Sequence, residues 1–440
     1  MNSKLAPHFE KIQSSFWFVP SSMMFFSLIL AAGTIYLDAT HPQDKPNIVS
    51  FLYATDVNAI RSLLGTIAGA MITVTSIAFS ITIVSLTLAS SQFGPRLMRN
   101  FMMDKGTQFV LGSFIATFLF CITVFCAISF KAPYAFQPGI TLAVALTMTS
   151  FSVWILIYFI HHVAQSIQAD VVIDGVYCEL KQTIAKLFPK ISEQDLIREG
   201  SLSVQENIGL CQFEVSAPFS AYLQLIDKES LLDLANKSQC TIQLHFSAGD
   251  FIVENAIIAT VFAKGEVEQG ISEDIIKHTV HGAYRTPIQD PEFAVHQLVE
   301  IALRALSPGI NDPYTAITCI DKLSSVLCSL ADKVFPQTNI FVDGVPRLVC
   351  KALTFTDIAT AAFDQIRQEC ETNLAVTIKM LDSLHVLAIQ AKTAEHKNFV
   401  RTQTAMIEQQ QVKQSLSDSD RVVLLSRIEK LSGMLKSSDF

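Results

Sequence analysis

The stretch from Asn58 to Gly94, NAIRSLLGTIAGAMITVTSIAFSITIVSLTLASSQFG, constrains this chain more than any other. It exceeds the roughly 20 apolar residues that cross a bilayer as one helix. It is also rich in small hydroxylated residues. Advancing about 100° per residue from Gly65 brings Asn58, Ser62, Gly65, Gly69, Thr73, Ser76, Ser80, Thr87, Ser91 and Gly94 into one sector about 80° wide. Ile72, Ile83 and Val84 are the large apolar residues near that sector, and the opposite side is mostly Leu, Ile, Val, Met and Phe.

Two physical situations produce such a face. In the first, Gly65-x-x-x-Gly69 and the hydroxyl row let another helix approach closely and accept its hydrogen bonds, as in ordinary membrane helix packing. In the second, copies of the helix from several subunits surround a water-filled path, with Ile83 and Val84 as a dewettable constriction. A substrate cavity is a third use of the same face. Length favours the path, because a packing motif needs two or three turns and this stripe continues for about ten. The candidate lining is Ser62, Gly65, Gly69, Thr73, Ser76, Ser80, Ile83, Thr87 and Ser91.

A chain of 440 residues that is 50% apolar and only 16% charged is expected to combine a membrane domain with a sizeable soluble part. Lys4 and Lys11 precede FWFVPSSMMFFSLILAAGTIYL, too long for a signal-peptide core and read as a retained anchor. A polar connector from Asp38 to Val57 leads to the long helix, and Gly94-Pro95 ends it. A basic loop with Arg96, Arg99 and Lys105 then precedes a third span, and a link around Lys131 and Pro138 precedes a fourth. The four spans are expected at about 17–37, 59–93, 108–130 and 139–161, within a membrane domain of residues 1–164.

Lysine and arginine favour the amino tail, the loop after the second span and the region after the fourth, with Lys181, Lys186 and Lys190; both termini are therefore expected in the cytoplasm. His161 and His162 sit where the fourth span leaves the membrane. They invite a pH-sensing or metal reading, but interfacial capping is preferred. The nine cysteines show no CxxC and no zinc spacing, and read as thiols of a reducing compartment. A net charge of −8 argues against nucleic acid.

After the spans, a helical connector is expected over 165–204, read as extending the last span from Val163 to Leu187, and a small β module over 205–268. Its runs are FEVSAPFSAYLQLI, a helical ESLLDLANK, CTIQLHF, a turn at Ser247 to Asp250, and FIVENAIIATVFA. This order resembles the small β-fold of biotinyl and lipoyl carrier domains without the carrier lysine, which implies a β-barrel-like module and no swinging arm. A helical cytoplasmic domain fills 269–440, with a helix at Ser272 to His281 and breaks near Asn373, Ala394 and Ser415. Within it, Asp290-Pro291 and Asp312-Pro313 each precede a periodic helical segment, so both aspartates read as N-caps. A sharper reading has Arg285, Gln289, Asp290, Arg304, Asn311 and Asp312 converge on an ion or small anion at positive helix ends.

The segments Ser15-Phe16-Trp17-Phe18-Val19-Pro20, Ser90-Ser91-Gln92-Phe93-Gly94-Pro95-Arg96, Phe159-Ile160-His161-His162, Arg285-Thr286 with Gln289-Asp290-Pro291-Glu292-Phe293, and Ala305-Leu306-Ser307-Pro308-Gly309-Ile310-Asn311-Asp312-Pro313 together are specific. The chain resembles, over nearly its whole length, the bacterial predicted membrane proteins grouped as domain of unknown function 2254. The resemblance implies the bacterial inner membrane and a subunit architecture, and no activity.

The fold class expected is therefore an α-helical polytopic membrane domain of four transmembrane helices, followed by an α+β cytoplasmic domain with a small β-barrel-like module and a helical C-terminal region. Three functional classes compete. A homo-oligomeric channel for ions or small solutes leads, because no charge is visible between Ser62 and Ser91 or inside the other spans, unlike proton-coupled transporters. A membrane-anchored ligand-sensing receptor or scaffold is second. An enzyme is third and not expected, since no nucleophile elbow, phosphate loop or metal spacing occurs. No cofactor is expected, and the partners are the lipid bilayer, further copies of the chain, and ions or small solutes.

Overall fold

The computed structural model describes residues 17–40, 52–53, 55–97, 104–129, 137–188, 211–265, 270–336, 338–351, 353–412, 414 and 416–437. Lys4, Lys11, Lys45, Arg99, Lys131 and Lys190, on which the orientation rests, lie outside the described residues, as do connector residues 189–204 and the first residues of the β module, 205–210. The chain divides into two compact units, Met1–Val171 and Val172–Phe440.

Among the described residues of the first unit, four helices are long and apolar enough to cross a membrane: α1 Phe18–Thr40, α2 Val57–Phe93, α3 Lys105–Ile128 and α4 Gly139–Ser166. The central one is α3, which packs against the other three and buries over half of its apolar window. Leu64, Ala68 and Met71 of α2 meet Phe120, Cys121, Val124 and Ile128 of α3, with Leu142 and Ala145 of α4 completing that cluster. Farther along, Ala78 of α2 meets Val110, Leu111 and Phe114 of α3 and Ile155 and Phe159 of α4. Gly112 allows α1 to come close, since a Cβ there would lie 2.6 Å from Met23 Sδ and 3.1 Å from Pro20 Cα. Ser27 Oγ of α1 donates to the Ala116 carbonyl at 2.6 Å, and the Thr117 and Ser152 hydroxyls bond across α3 and α4 at 3.0 Å.

The helices differ from their sequence bounds in two instructive places. The expected first span stops at residue 37, whereas α1 continues to Thr40 and takes in Asp38, so the spans are not free of charge. Asp38 is 5% exposed and accepts from Tyr53 Oη (2.7 Å), Ile140 N (3.1 Å), Thr141 N (2.9 Å) and Thr141 Oγ1 (2.6 Å), which makes it the cap of α4. A carboxylate at a helix N-terminus satisfies free N–H groups and complements the helix dipole. Secondly, the expected continuation of the last span into Leu187 is broken at Ile167 and Gln168, and a separate amphipathic helix, α5, runs Ala169–Leu187.

The second unit mixes helices and strands. Its strands are β1 Cys211–Ser216, β2 Ala221–Ile226, β3 Thr241–Leu244, β4 Phe251–Ile252, β5 Ile257–Ala263, β6 Thr279–Gly282, β7 Asn339–Val342 and β8 Val345–Val349, with α6 Lys228–Lys237 and α7 Ile271–Lys277 between them. Among the described residues they form two sheets, ordered β1-β5-β3-β8-β7 and β4-β2-β6, and no closed barrel, so the barrel-like expectation is not borne out. Among the described residues the pairings are antiparallel except β3 with β8, where Ile242 faces Leu348. Val215, Leu223, Ile226, Leu231, Ile242, Ile252, Val261, Ile275 and Leu348 share one core between sheets and helices.

The expected helix at Ser272 to His281 is cut short by β6, whose Thr279 and Val280 pair with β2. Six helices complete the unit: α8 Pro291–Leu306, α9 Pro313–Leu330, α10 Phe355–Glu369, α11 Leu374–Gln390, α12 Ala394–Gln411 and α13 Asp418–Ser437. α10 opens with a reciprocal capping box between Thr354 and Asp357.

Truncating Asp38 to Ala leaves the Tyr53, Ile140 and Thr141 donors without their acceptor and should cost about 3 kcal/mol. Asp38→Asn keeps an acceptor oxygen and should cost less. Thermal unfolding in detergent checks this ranking, and equal midpoints for wild type and Asp38→Ala would refute the strut.

Candidate functional site

Helix α2 has 37 residues and hence a length of about 55 Å, well beyond the roughly 30 Å hydrocarbon core. Its buried side chains, Ile60, Leu64, Ile67, Ala68, Met71, Ala78, Ala89 and Phe93, fall on the side facing α3. The candidate lining lies on the other side: Ser62, Gly65, Gly69, Thr73, Ser76, Ser80, Ile83, Thr87 and Ser91 are all exposed, with Ile83 at 49%. Among the described residues a Cβ at Gly69 would meet nothing within 4 Å, and one at Gly65 only the Phe125 ring at 3.6 Å, so none of them demands either glycine by packing.

The stripe hydroxyls turn their hydrogens inward. Thr73 donates to the Gly69 carbonyl (2.9 Å), Ser76 to Ile72 (3.0 Å), Ser80 to Ser76 (2.9 Å), Thr87 to Ile83 (2.9 Å) and Ser91 to Leu88 (2.8 Å). Such back-bonding satisfies the donors and leaves oxygen lone pairs facing outward as acceptors. The exposed surface of α4 carries Phe151, Val153, Trp154, Ile157, Tyr158 and Ile160 with the Thr147 and Ser150 hydroxyls toward its start, and α2 exposes Ile77, Phe79, Ile81 and Leu88 outside its stripe. Large apolar side chains suit lipid, whereas the small acceptor-bearing face of α2 suits water or another polar surface.

A second polar constellation ties two helix ends together. Asp104 caps α3 by accepting from Gly106 N (3.2 Å), Thr107 N (2.9 Å) and Thr107 Oγ1 (2.6 Å), and its Oδ2 lies 2.6 Å from His162 Nε2 on α4. The His162 ring stacks on Tyr158 at 5.4 Å and occupies space that a Cβ on Gly106 would invade at 2.6 Å. His162 is thus a tertiary tie between helices, where interfacial capping was expected. An Asp placed two residues before a glycine at the start of a span was the available sequence signal.

In the second unit the six residues expected to converge form two groups at opposite ends of α8, about 22 Å apart along its axis. At its start, Asp290 is 3% exposed and caps Phe293 N at 3.0 Å while accepting a forked pair from Arg285, Nε at 2.6 Å and Nη2 at 2.8 Å. Burial alone would depress Arg285, but its bonding to Asp290 and the charges of Asp290, Glu292 and Asp250 outweigh this and hold the guanidinium above its ordinary range. Burial and the neighbouring Asp290 charge push the Glu292 carboxyl up, against the pull of Arg285. Gly249, at φ +101°, lies under the pair, where a Cβ would collide with the Asp290 carboxylate. Gln289 mimics a strand residue, accepting from Ile226 N at 2.9 Å and donating to its carbonyl at 3.1 Å.

At the far end, Asp312 caps α9 through Thr315 N (3.2 Å) and Oγ1 (2.6 Å), Asn311 sits at φ 50°, and Arg304 reaches Glu300 at 3.4 Å. Both Asp-Pro steps are therefore helix caps, and only the first adds an ion pair. Among the described residues no three His, Cys, Asp or Glu side chains gather to hold a metal ion.

Four long apolar helices ahead of a mixed helix and strand region define a polytopic membrane protein with a large extramembrane part. The chain belongs to the DUF2254 family of predicted membrane proteins, whose model matches residues 13–386. It is similar to the uncharacterized proteins Mb1321c of Mycobacterium bovis and Rv1290c of Mycobacterium tuberculosis, each 29% identical over 425 residues that cover 94% of this chain and 80% of theirs. Uncharacterized protein MT1328 of a second Mycobacterium tuberculosis strain is 28% identical over the same coverage. No solved structure matches the chain.

The two caps should respond differently to the same substitution. Asp312→Asn should change stability by less than about 0.5 kcal/mol, since Asn caps as well as Asp. Asp290→Asn takes from the half-buried Arg285 its hydrogen-bonded counter-charge, leaving Glu292 Oε2 at 3.8 Å, and should cost about 2 kcal/mol. Denaturant unfolding of the full-length protein in detergent reads both, and equal effects would refute the distinction.

Proposed function

We propose that this protein is a homo-oligomeric channel of the bacterial inner membrane for ions or small solutes. In this reading α2 lines the pathway, both termini are cytoplasmic, the second unit regulates conduction, and the chain carries out no reaction. One observation supports it above others: the small, acceptor-bearing stripe of α2 is turned away from its own helical core and exposed along the length of the helix, flanked by Ile72, Ile77, Val84 and Leu88. Several copies arranged with these faces inward would give a wall of hydroxyl oxygens, with Ile83 as a narrow apolar ring that stays dry and closed.

The competing reading is a receptor or scaffold in which the same faces pack directly on one another. Replacing Ile83 by Ser separates the two. Under the channel reading the variant is leaky, with raised conductance in planar bilayers; under direct packing the change alters assembly stability by only about 1 kcal/mol and passes no current. Single cysteines at Thr73, Ser76, Ser80 and Thr87 should react with a small water-soluble thiol reagent, while Ile77 and Leu86 should not. Equal protection at all six overturns the channel. Reporter fusions after Arg99 and at the carboxyl end should behave as cytoplasmic, and one near Lys45 as external.

A further inference from the structure

Between Ala78 and Ala89, both buried, α2 contributes no buried residue for ten positions, and a cavity of about 250 Å³ occupies the gap inside the first unit. Phe79, Ile83 and Leu86 of α2 face Val163 and Ile167 near the end of α4, with Trp17 beside the start of α1. Trp17, Phe79 and Ile83 are also surface residues, at 68%, 44% and 49% exposure, so the cavity opens to the exterior of the four-helix unit.

The cavity's walls are largely apolar. Of its polar members, the Thr82, Thr107 and Ser166 hydroxyls donate to Ala78 O, Asp104 Oδ2 and His162 O, the Asp104 carboxylate is engaged by Gly106 N, Thr107 N and His162 Nε2, and Ser85 adds one further hydroxyl. An apolar cavity of about 150 Å³ takes up benzene, which scales to about ten carbons for a cavity of this size. The surrounding hydrocarbon supplies such a segment at high local concentration.

We propose that this cavity holds one acyl chain of a membrane phospholipid, lying between α2 and the end of α4 and in contact with Ile83. Because the chain rests against the outer side of Ile83, it would brace the residue that the channel reading makes the constriction. The site stands on the cavity and on membrane placement, and does not require that α2 conduct.

The test uses full-length protein in nanodiscs doped with a phospholipid carrying a diazirine midway along one acyl chain, followed by peptide mapping of the photolabel. Wild type should be labelled within 79–86 and 163–167 as well as along the lipid-facing Trp154 and Ile157. Ser85→Trp fills the cavity and should reduce the first pair of labels about tenfold while leaving the α4 face unchanged. Thr82→Leu, a smaller filling change, should act in the same direction. Ethanolamine and glycerol headgroups on the labelled lipid should give the same pattern. Labelling of wild type confined to the Trp154 and Ile157 face, or a cavity label indifferent to both fillings, would overturn the proposal. Neither result depends on whether Ile83→Ser leaks current.

Discussion

Charges placed at helix ends hold the membrane unit together. Where water is scarce, the free N–H groups that open a helix and the free carbonyls that close it must find partners in the protein. Asp38 does this for the start of α4, Asp104 for the start of α3, and the Arg61 guanidinium reaches the Ile128 carbonyl at the end of α3 at 3.3 Å. Each charge has the sign that the helix dipole favours at that end. Fixed at both ends, α3 is a post on which α1, α2 and α4 pack, and with α2 seated by its apolar side the polar side can only face outward.

The same economy recurs in the second unit, with different partners. Asp290 performs a cap and an ion pair with one carboxylate, and Gly249 gives up its side chain so that loop, strand and helix start can meet there. Gln289 closes the arrangement by pairing with β2 as though it were a neighbouring strand. The polar density that marks this stretch of sequence serves local assembly around the first turn of α8.

What was legible in the residues followed from periodicity and length. The four spans, the polar stripe along α2, the two Asp-Pro helix starts and the helix breaks near Asn373 and Ala394 all come from residue spacing along the chain itself. What was missed depends on distant partners. Asp38 reads as connector because its four donors lie on the 52–53 turn and on α4, and His162 reads as a terminus because Asp104 is 58 positions away. The strands β7 and β8 were available locally: Asn339 to Val342 and Val345 to Val349 flank Asp343-Gly344, both at positive φ, the usual signature of a two-residue hairpin turn. Their destination was not, since nothing nearby says that β8 pairs with β3.

That pairing carries a consequence for how the chain acquires its shape. Ile242 waits for Leu348, so about a hundred residues, including the α8 and α9 hairpin, must emerge before the larger sheet is complete. Until then β3 is an edge strand bearing unpaired backbone groups, the kind of surface that recruits strands from other chains. A ribosome pausing anywhere between Ala263 and Asn339 would hold the protein at its most aggregation-prone length, with its membrane helices already made.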